Sequence, residues 1–243
     1  MSLSNPRPEN PVKKWIEFKG DTGVFQYWDK ATESNIVLPT ERIGFIVLDE
    51  LNTITGFHKA TKSGIYSNEV HNITQEQITV NVFKSQIHIA GYYKEIKDNI
   101  KAIGGKFCKS IYAALITGAE TIELVNFKFS GASFSGWLDK KVNVFTEGVK
   151  ITGMKDERNG NIDYKVPIFS GFPMTDILKE KAVAMDVEVQ EYLKQYKSKM
   201  VEKDEAIIND EYTDNTPTAD AVKELFKTEE VAQVTDPGLD LPF

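Results

Sequence analysis

Between residues 15 and 169 short apolar runs recur, separated by polar or glycine-containing stretches. Runs rich in β-branched and aromatic residues occupy 15–18, 24–28, 43–48, 78–83, 87–93, 121–129, 142–145 and 164–169, and each predicts a strand. So many short strands in one segment point to a barrel or a sandwich. Asn159-Gly160, between the runs at 149–154 and 162–166, signals a type I′ hairpin turn, because both residues tolerate positive φ. Residues 94–103, followed by Gly104 and Gly105, predict a short helix with a glycine stop.

The period changes at Pro173, which suits a first helical position. Met174, Leu178, Met185, Val189, Leu193, Tyr196 and Met200 follow at spacings of three, four or seven and predict one long amphipathic helix. The stripe lacks repeated Leu or Ile at strict heptad sites, so a helix covering the open side of a β-core is expected rather than a dimerising coiled coil. At the other end, Pro6, Pro8 and Pro11 lead us to expect a flexible arm over residues 1–11. After Lys203 apolar content collapses and Pro217, Pro237 and Gly238 interrupt, so residues 201–243 bury too little to offset ordering entropy and are expected to be largely disordered. Within them Thr216 and Pro217 suit the start of a short helix carrying Val222, Leu225 and Phe226. The chain shows no internal repeat.

Composition adds little until charge is followed along the chain. The 243 residues are 41% hydrophobic and 27% charged, as in ordinary globular proteins. Spread evenly, the net charge of -7 would argue against a polyanionic partner. It is not even: residues 1–200 hold 26 basic and 24 acidic side chains, net +2, whereas residues 201–243 hold 3 and 12, net -9. No apolar run reaches the roughly 18 residues of a membrane span, and the polar, proline-rich start does not resemble a signal peptide. A soluble protein of the cytoplasm is expected. The single cysteine, Cys108, is too little for a disulfide or a cysteine-based zinc site and is expected to be a small buried residue.

No enzyme class finds support. His58, His71 and His88 are scattered without metal-ligand spacing, so neither a metal nor a cofactor is expected. Gly104-Gly105-Lys106 lacks the first glycine of a phosphate-binding loop, and Phe107 stands where its Ser or Thr would be. Glu17-Phe18-Lys19 and Glu95-Ile96-Lys97 have the acid-x-lysine spacing of some nucleases but no partner Asp, and alternating charge on a solvated face explains them better. Cys108 has no nearby histidine to make it a thiolate.

Binding signals are more numerous. Aromatic residues make up 11% of the chain, and many adjoin lysines. Trp28 with Lys30, Tyr92 and Tyr93 with Lys94, Lys106, Phe107 and Lys109 with Tyr112, and Trp137 with Lys140 and Lys141 form the candidate set for nucleic acid: rings stack on unpaired bases while lysines meet phosphates without reading sequence. Residues 84–109 carry six lysines against Glu95 and Asp98, net +4. Strand aromatics are more often core than platform, so Tyr92, Tyr93 and Trp137 are stronger candidates than Phe127 or Phe129.

The last residues, Asp236-Pro237-Gly238-Leu239-Asp240-Leu241-Pro242-Phe243, resemble the tail tip of bacterial single-stranded DNA-binding proteins, in which an acidic tail ends in Asp, an aliphatic residue, Pro and Phe. The whole chain looks more like a bacteriophage or mobile-element protein of this kind. The resemblance implies a mainly β, OB-fold-like barrel with extra strands and one long amphipathic helix over residues 12–200, joined to an acidic disordered tail over 201–243. It also implies single-stranded DNA as ligand and replication, recombination or repair proteins as partners. Phe243 would fill an apolar pocket while Asp236, Asp240 and the terminal carboxylate meet a basic rim, with Leu241 packing and Pro242 limiting entropy loss. A homo-oligomer is compatible, and a phage-encoded protein would act in the bacterial cytoplasm. The rivals are a strand-annealing recombination protein, an adaptor or decoy that occupies the tip's partner pockets without binding DNA, and a nuclease.

Overall fold

Period-two alternation makes the first apolar runs into strands that bury one face. In the computed structural model, which describes the backbone of residues 9–209 and the side chains of 9–198, β1 (Lys14–Lys19) buries Ile16 between exposed Trp15 and Glu17. It pairs antiparallel with β2 (Val24–Asp29), and β2 with β3 (Ser34–Leu38). β4 (Gly44–His58) is fifteen residues long and follows a short 3₁₀ turn at Thr40–Arg42. It runs antiparallel to β8 (Gly105–Ile116), with a bulge between Val47 and Asp49. Its other edge forks: Gly44 and Phe45 pair with β10 (Glu147–Asn159), whereas residues 55–58 pair with β5 (Ser63–Ser67). From β5 the sheet continues as an arm through β6 (Ile78–Val82) to β7 (His88–Gly91). β9 (Ile122–Phe129) joins β8 antiparallel and β1 parallel, and β10 turns back into β11 (Ile162–Pro173). The protein is thus mainly β, and the eleven strands of the described residues form one open sheet whose path runs from β3 to β7.

Two apolar clusters fill the inner face. The first stacks Phe25, Phe45, Phe127 and Phe129 against Phe169 and against Trp137 of α2 (Ala132–Leu138); ring centroids lie 4.6 Å apart for Phe45 and Phe127 and 5.2 Å for Phe129 and Trp137. Such pairs favour tilted geometries and add to the roughly 1.5–3 kcal/mol gained by burying each large apolar side chain. The second cluster lies under the arm, where Ile54, Ile65, Ile78, Val80 and Val82 are closed over by Ile96 and Ile100 of α1 (Tyr93–Ala102). Phe107 bridges the two clusters, 5.7 Å from the Tyr93 ring and 5.1 Å from Phe134. On the outer face, α3 (Asp176–Asn209) lays Leu178 and Ala182 over Ile46 and Ala114.

Several elements differ from the sequence-based expectation, each for a local reason. The hairpin forms, but Asn159 pairs with Ile162, so the turn residues are Gly160 and Asn161 and only Gly160 has positive φ; this is the pattern of a type II′ rather than a type I′ turn. Residues 142–145 form a turn and not a strand, because Asn143 gathers the chain: its side chain accepts from the Phe145 N–H and its carbonyl from those of Thr146 and Glu147. Pro173 ends β11 instead of opening the helix, and the Thr175 hydroxyl accepts from the Leu178 N–H in the first turn of α3. The helix runs nine residues past 200, through a stretch that contains neither Gly nor Pro to stop it.

The described residues divide into two compact units, one of residues 10–190 and one that includes residues 191–209. The strands, α1 and α2 belong to the first. In the second, Tyr192 and Tyr196 stack one turn apart with centroids 6.0 Å apart. Most of the N-terminal arm, the helix expected around 217–226 and the tip residues Asp236, Asp240, Leu241, Pro242 and Phe243 lie outside the described residues.

Candidate nucleic-acid interface

Cross-strand register assigns each side chain of the arm to a face. Ile54, Ile65 and Val82 point into the second core, so their neighbours in sequence point outward. Lys106 pairs with Thr55, Thr55 with Tyr66, Tyr66 with Asn81 and Asn81 with His88, giving one row across five strands. In the next row Phe57 pairs with Gly64, whose carbonyl accepts from the Phe83 N–H at 2.9 Å. Phe57, Tyr66 and Phe83 are all more than half exposed, which is unusual for large rings on a sheet. Lys84 holds its ammonium 5.3 Å from the Phe83 ring centroid, and Lys59, Lys62 and Lys106 are exposed around the same face. Residues 51–68, 77–94 and 99–119, which build most of the arm and β8, contain no acidic residue. The geometry therefore offers π-faces and cations together, as single-strand binding requires.

The sequence-derived candidates divide. Tyr92, at 40% exposed, follows the end of β7, and exposed Lys94 comes at the start of α1. Lys106 lies in the outer row. Trp137 and Tyr112 are each only 1% exposed, so neither offers a ring to a base; both are core residues here, corrected by burial. Phe107 and Tyr93 are half-buried in the second cluster, where burial, assisted by Asp98, pushes the Tyr93 hydroxyl up. Lys109 donates to Asn52 Oδ1 at 3.0 Å. Lys140 lies 4.0 Å above the Trp137 ring and 3.9 Å from Glu50; burial, reinforced by Lys109 and opposed by Glu50, lowers its ammonium pKa. Lysine adjacency thus found a real cation–ring contact at Trp137, but on the inner side of the sheet. Lys141 is exposed beyond α2.

At the centre of the outer face the surface is closed. Glu69 reaches over the sheet and accepts from the Ser110 hydroxyl at 2.6 Å, the Tyr112 hydroxyl at 2.7 Å and Lys128 Nζ at 2.6 Å. Burial alone would raise its carboxyl pKa, but Lys128 and the two hydroxyls outweigh burial and hold it below the usual glutamate range. Asn52 fixes the same strap by donating to the carbonyls of Val70 and His71, and His71 pairs with Asp49 at 3.0 Å. Beyond the strap, Trp28 is 56% exposed beside exposed Lys30. Trp15 stands on the same side of the neighbouring strand, because Glu17 pairs with Gln26 and both tryptophans lie two residues from that pair.

Phe57, Tyr66, Phe83 and Trp15 were not singled out in the sequence. Phe57-His58-Lys59 and Phe83-Lys84 carry the same aromatic–lysine signal as the candidates, but only the register of β5, which sequence did not reveal, places them on one face.

Burial pushes the Cys108 thiol up to about 12, leaving it protonated and inert at neutral pH. Each histidine is held locally: His58 by Thr61, His71 by Asp49 and His88 by Asn81. Among the described residues no group of three or more His, Cys, Asp and Glu is placed to hold a metal ion, and no helix is long and apolar enough to cross a membrane. No family profile, curated protein or solved structure matches the chain.

Proposed function

We propose that this protein binds single-stranded DNA with little sequence preference, through the outer face of the β4–β7 arm, and protects it during replication, recombination or repair. One observation carries the reading: Phe57, Tyr66 and Phe83 are exposed together on a face that holds Lys84 and Lys106 and is built from acid-free sequence. Each stacked base contributes about 1–3 kcal/mol with little regard to sequence, and each lysine–phosphate contact adds a salt-dependent increment. The acidic segment 201–243 completes the reading as the part that recruits partner proteins through residues 236–243. The OB-like relationship implied by the resemblance belongs to the same proposal; its support is the bulged strand β4, whose two halves pair with different strands, as suits a partly open barrel.

The test is a gel shift with single- and double-stranded oligonucleotides of one length, with and without magnesium. Single strands should be retained intact in both conditions and duplex far less well. Equal retention of both forms rejects the reading, and cleavage that depends on magnesium replaces it with a nuclease.

A further inference from the structure

Resting on that reading, we propose that the space above Gly64 is a slot in which one unpaired base is held between the rings of Phe57 and Phe83. Gly64 lies on the middle of three adjacent strands, opposite Phe57 on one side and hydrogen-bonded through its carbonyl to Phe83 on the other. Strands repeat at about 4.8 Å, so the two phenylalanine Cα atoms stand about 10 Å apart across the glycine. That separation leaves room above the glycine for one flat base with a phenylalanine ring on either side of it. A Cβ built on Gly64 meets nothing within 4 Å, so the floor of the slot is open.

The surroundings select a nucleotide rather than an apolar peptide side chain. Lys84 holds its ammonium 5.3 Å from the Phe83 ring centroid. Lys59 and Lys62 lie in the turn that joins β4 to β5, and Lys106 ends the neighbouring row. A phosphodiester chain passing over the slot therefore meets cations on both sides, while Tyr66, two residues along β5 and on the same face, receives an adjacent base.

Gly64 makes the test unusually clean. Its φ lies outside the left-handed region and its side-chain direction is open, so Gly64→Val is accommodated by the fold and suits a strand better than glycine does. The same valine fills the slot. The proposal expects opposite changes: a melting temperature equal to or above that of the full-length wild type, and affinity for oligo-dT, measured by fluorescence anisotropy, weaker by about tenfold or more. An abasic oligonucleotide of equal length, which offers phosphates and no bases, should bind both proteins alike. Affinity for oligo-dT unchanged by Gly64→Val, or an equal loss for the abasic chain, overturns the slot while leaving single-strand binding in place. Failure of the wild type to bind oligo-dT overturns the functional reading itself. A double-mutant cycle between Phe57→Ala and Phe83→Ala decides the matter even if Gly64→Val folds poorly. Rings that share one base give a combined loss clearly different from the sum of the single losses; strict additivity contradicts the slot.

Discussion

Phe129 and Phe83 are the same side chain placed at two addresses. Phe129 is fully buried among Trp137, Phe127 and Phe169, with α2 and β11 laid over it. Phe83 is 54% exposed beside Phe57 and Tyr66, on the outer face of the arm. The inner cluster uses aromatic area to hold the fold, because removing it from water is the main favourable contribution to folding. The outer set leaves comparable area in water, at a cost in solubility that a folded domain ordinarily avoids. Cover, more than residue type, separates a core ring from a candidate binding ring.

The largest expected effect breaks the inner side of this comparison. Trp137→Ala or Phe129→Ala should destabilise the protein by about 3–5 kcal/mol in urea unfolding, with the DNA affinity of the folded fraction unchanged. An affinity loss without a stability loss would move that ring to the interface. Next in size is the strap. Glu69→Ala leaves the partly buried Lys128 without its counter-charge and should cost about 3 kcal/mol, the low end for a broken buried pair, because Lys128 keeps some contact with water and its bond to Ser110. Glu69 is more acidic folded than unfolded, so its contribution is complete above the ordinary glutamate pKa and fades as pH falls through that value toward the lower folded one. Melting curves from pH 7 to pH 3 should show this loss in the wild type and a shallower acid limb in Glu69→Gln.

The outer side gives smaller and opposite signatures. Phe57→Ala, Tyr66→Ala or Phe83→Ala should each weaken oligo-dT binding by about 1–3 kcal/mol, with unfolding midpoints little changed, as titration and urea melts on the same samples would show. Lys84→Ala or Lys106→Ala should cost less at moderate salt, but each should reduce the slope of log affinity against log salt by about 0.7. A lysine variant with an unaltered slope would place that lysine off the phosphate path.

The comparison also explains what was legible in the sequence. β1, β2, β9, α1 and the β10–β11 hairpin were visible because a single buried face prints a period on the residues: Ile16 between Trp15 and Glu17, Ile96 and Ile100 one turn apart. β8 was hidden because Lys106 and Lys109 interrupt its apolar pattern and Ala113-Ala114 has little strand preference, although as a central strand it is buried on both faces. β5 was hidden by glycine and serine. That omission decided the site. Without β5 there is no register to bring Phe57, Tyr66 and Phe83 together, and adjacency to lysine favoured Trp137, which meets Lys140 from inside the fold. Sequence carries contact between neighbours well and facing poorly, since facing depends on which strand lies alongside.

The most direct measurement of the central claim is photocrosslinking of the full-length protein to a bromodeoxyuridine-substituted single strand, with the attached peptides read by mass spectrometry. The account predicts crosslinks at Phe57, Tyr66 and Phe83, lost in excess unlabelled single strand and retained in excess duplex. Crosslinks confined to other surfaces, such as the Trp15 and Trp28 flank, or crosslinks that duplex removes equally well, would contradict it.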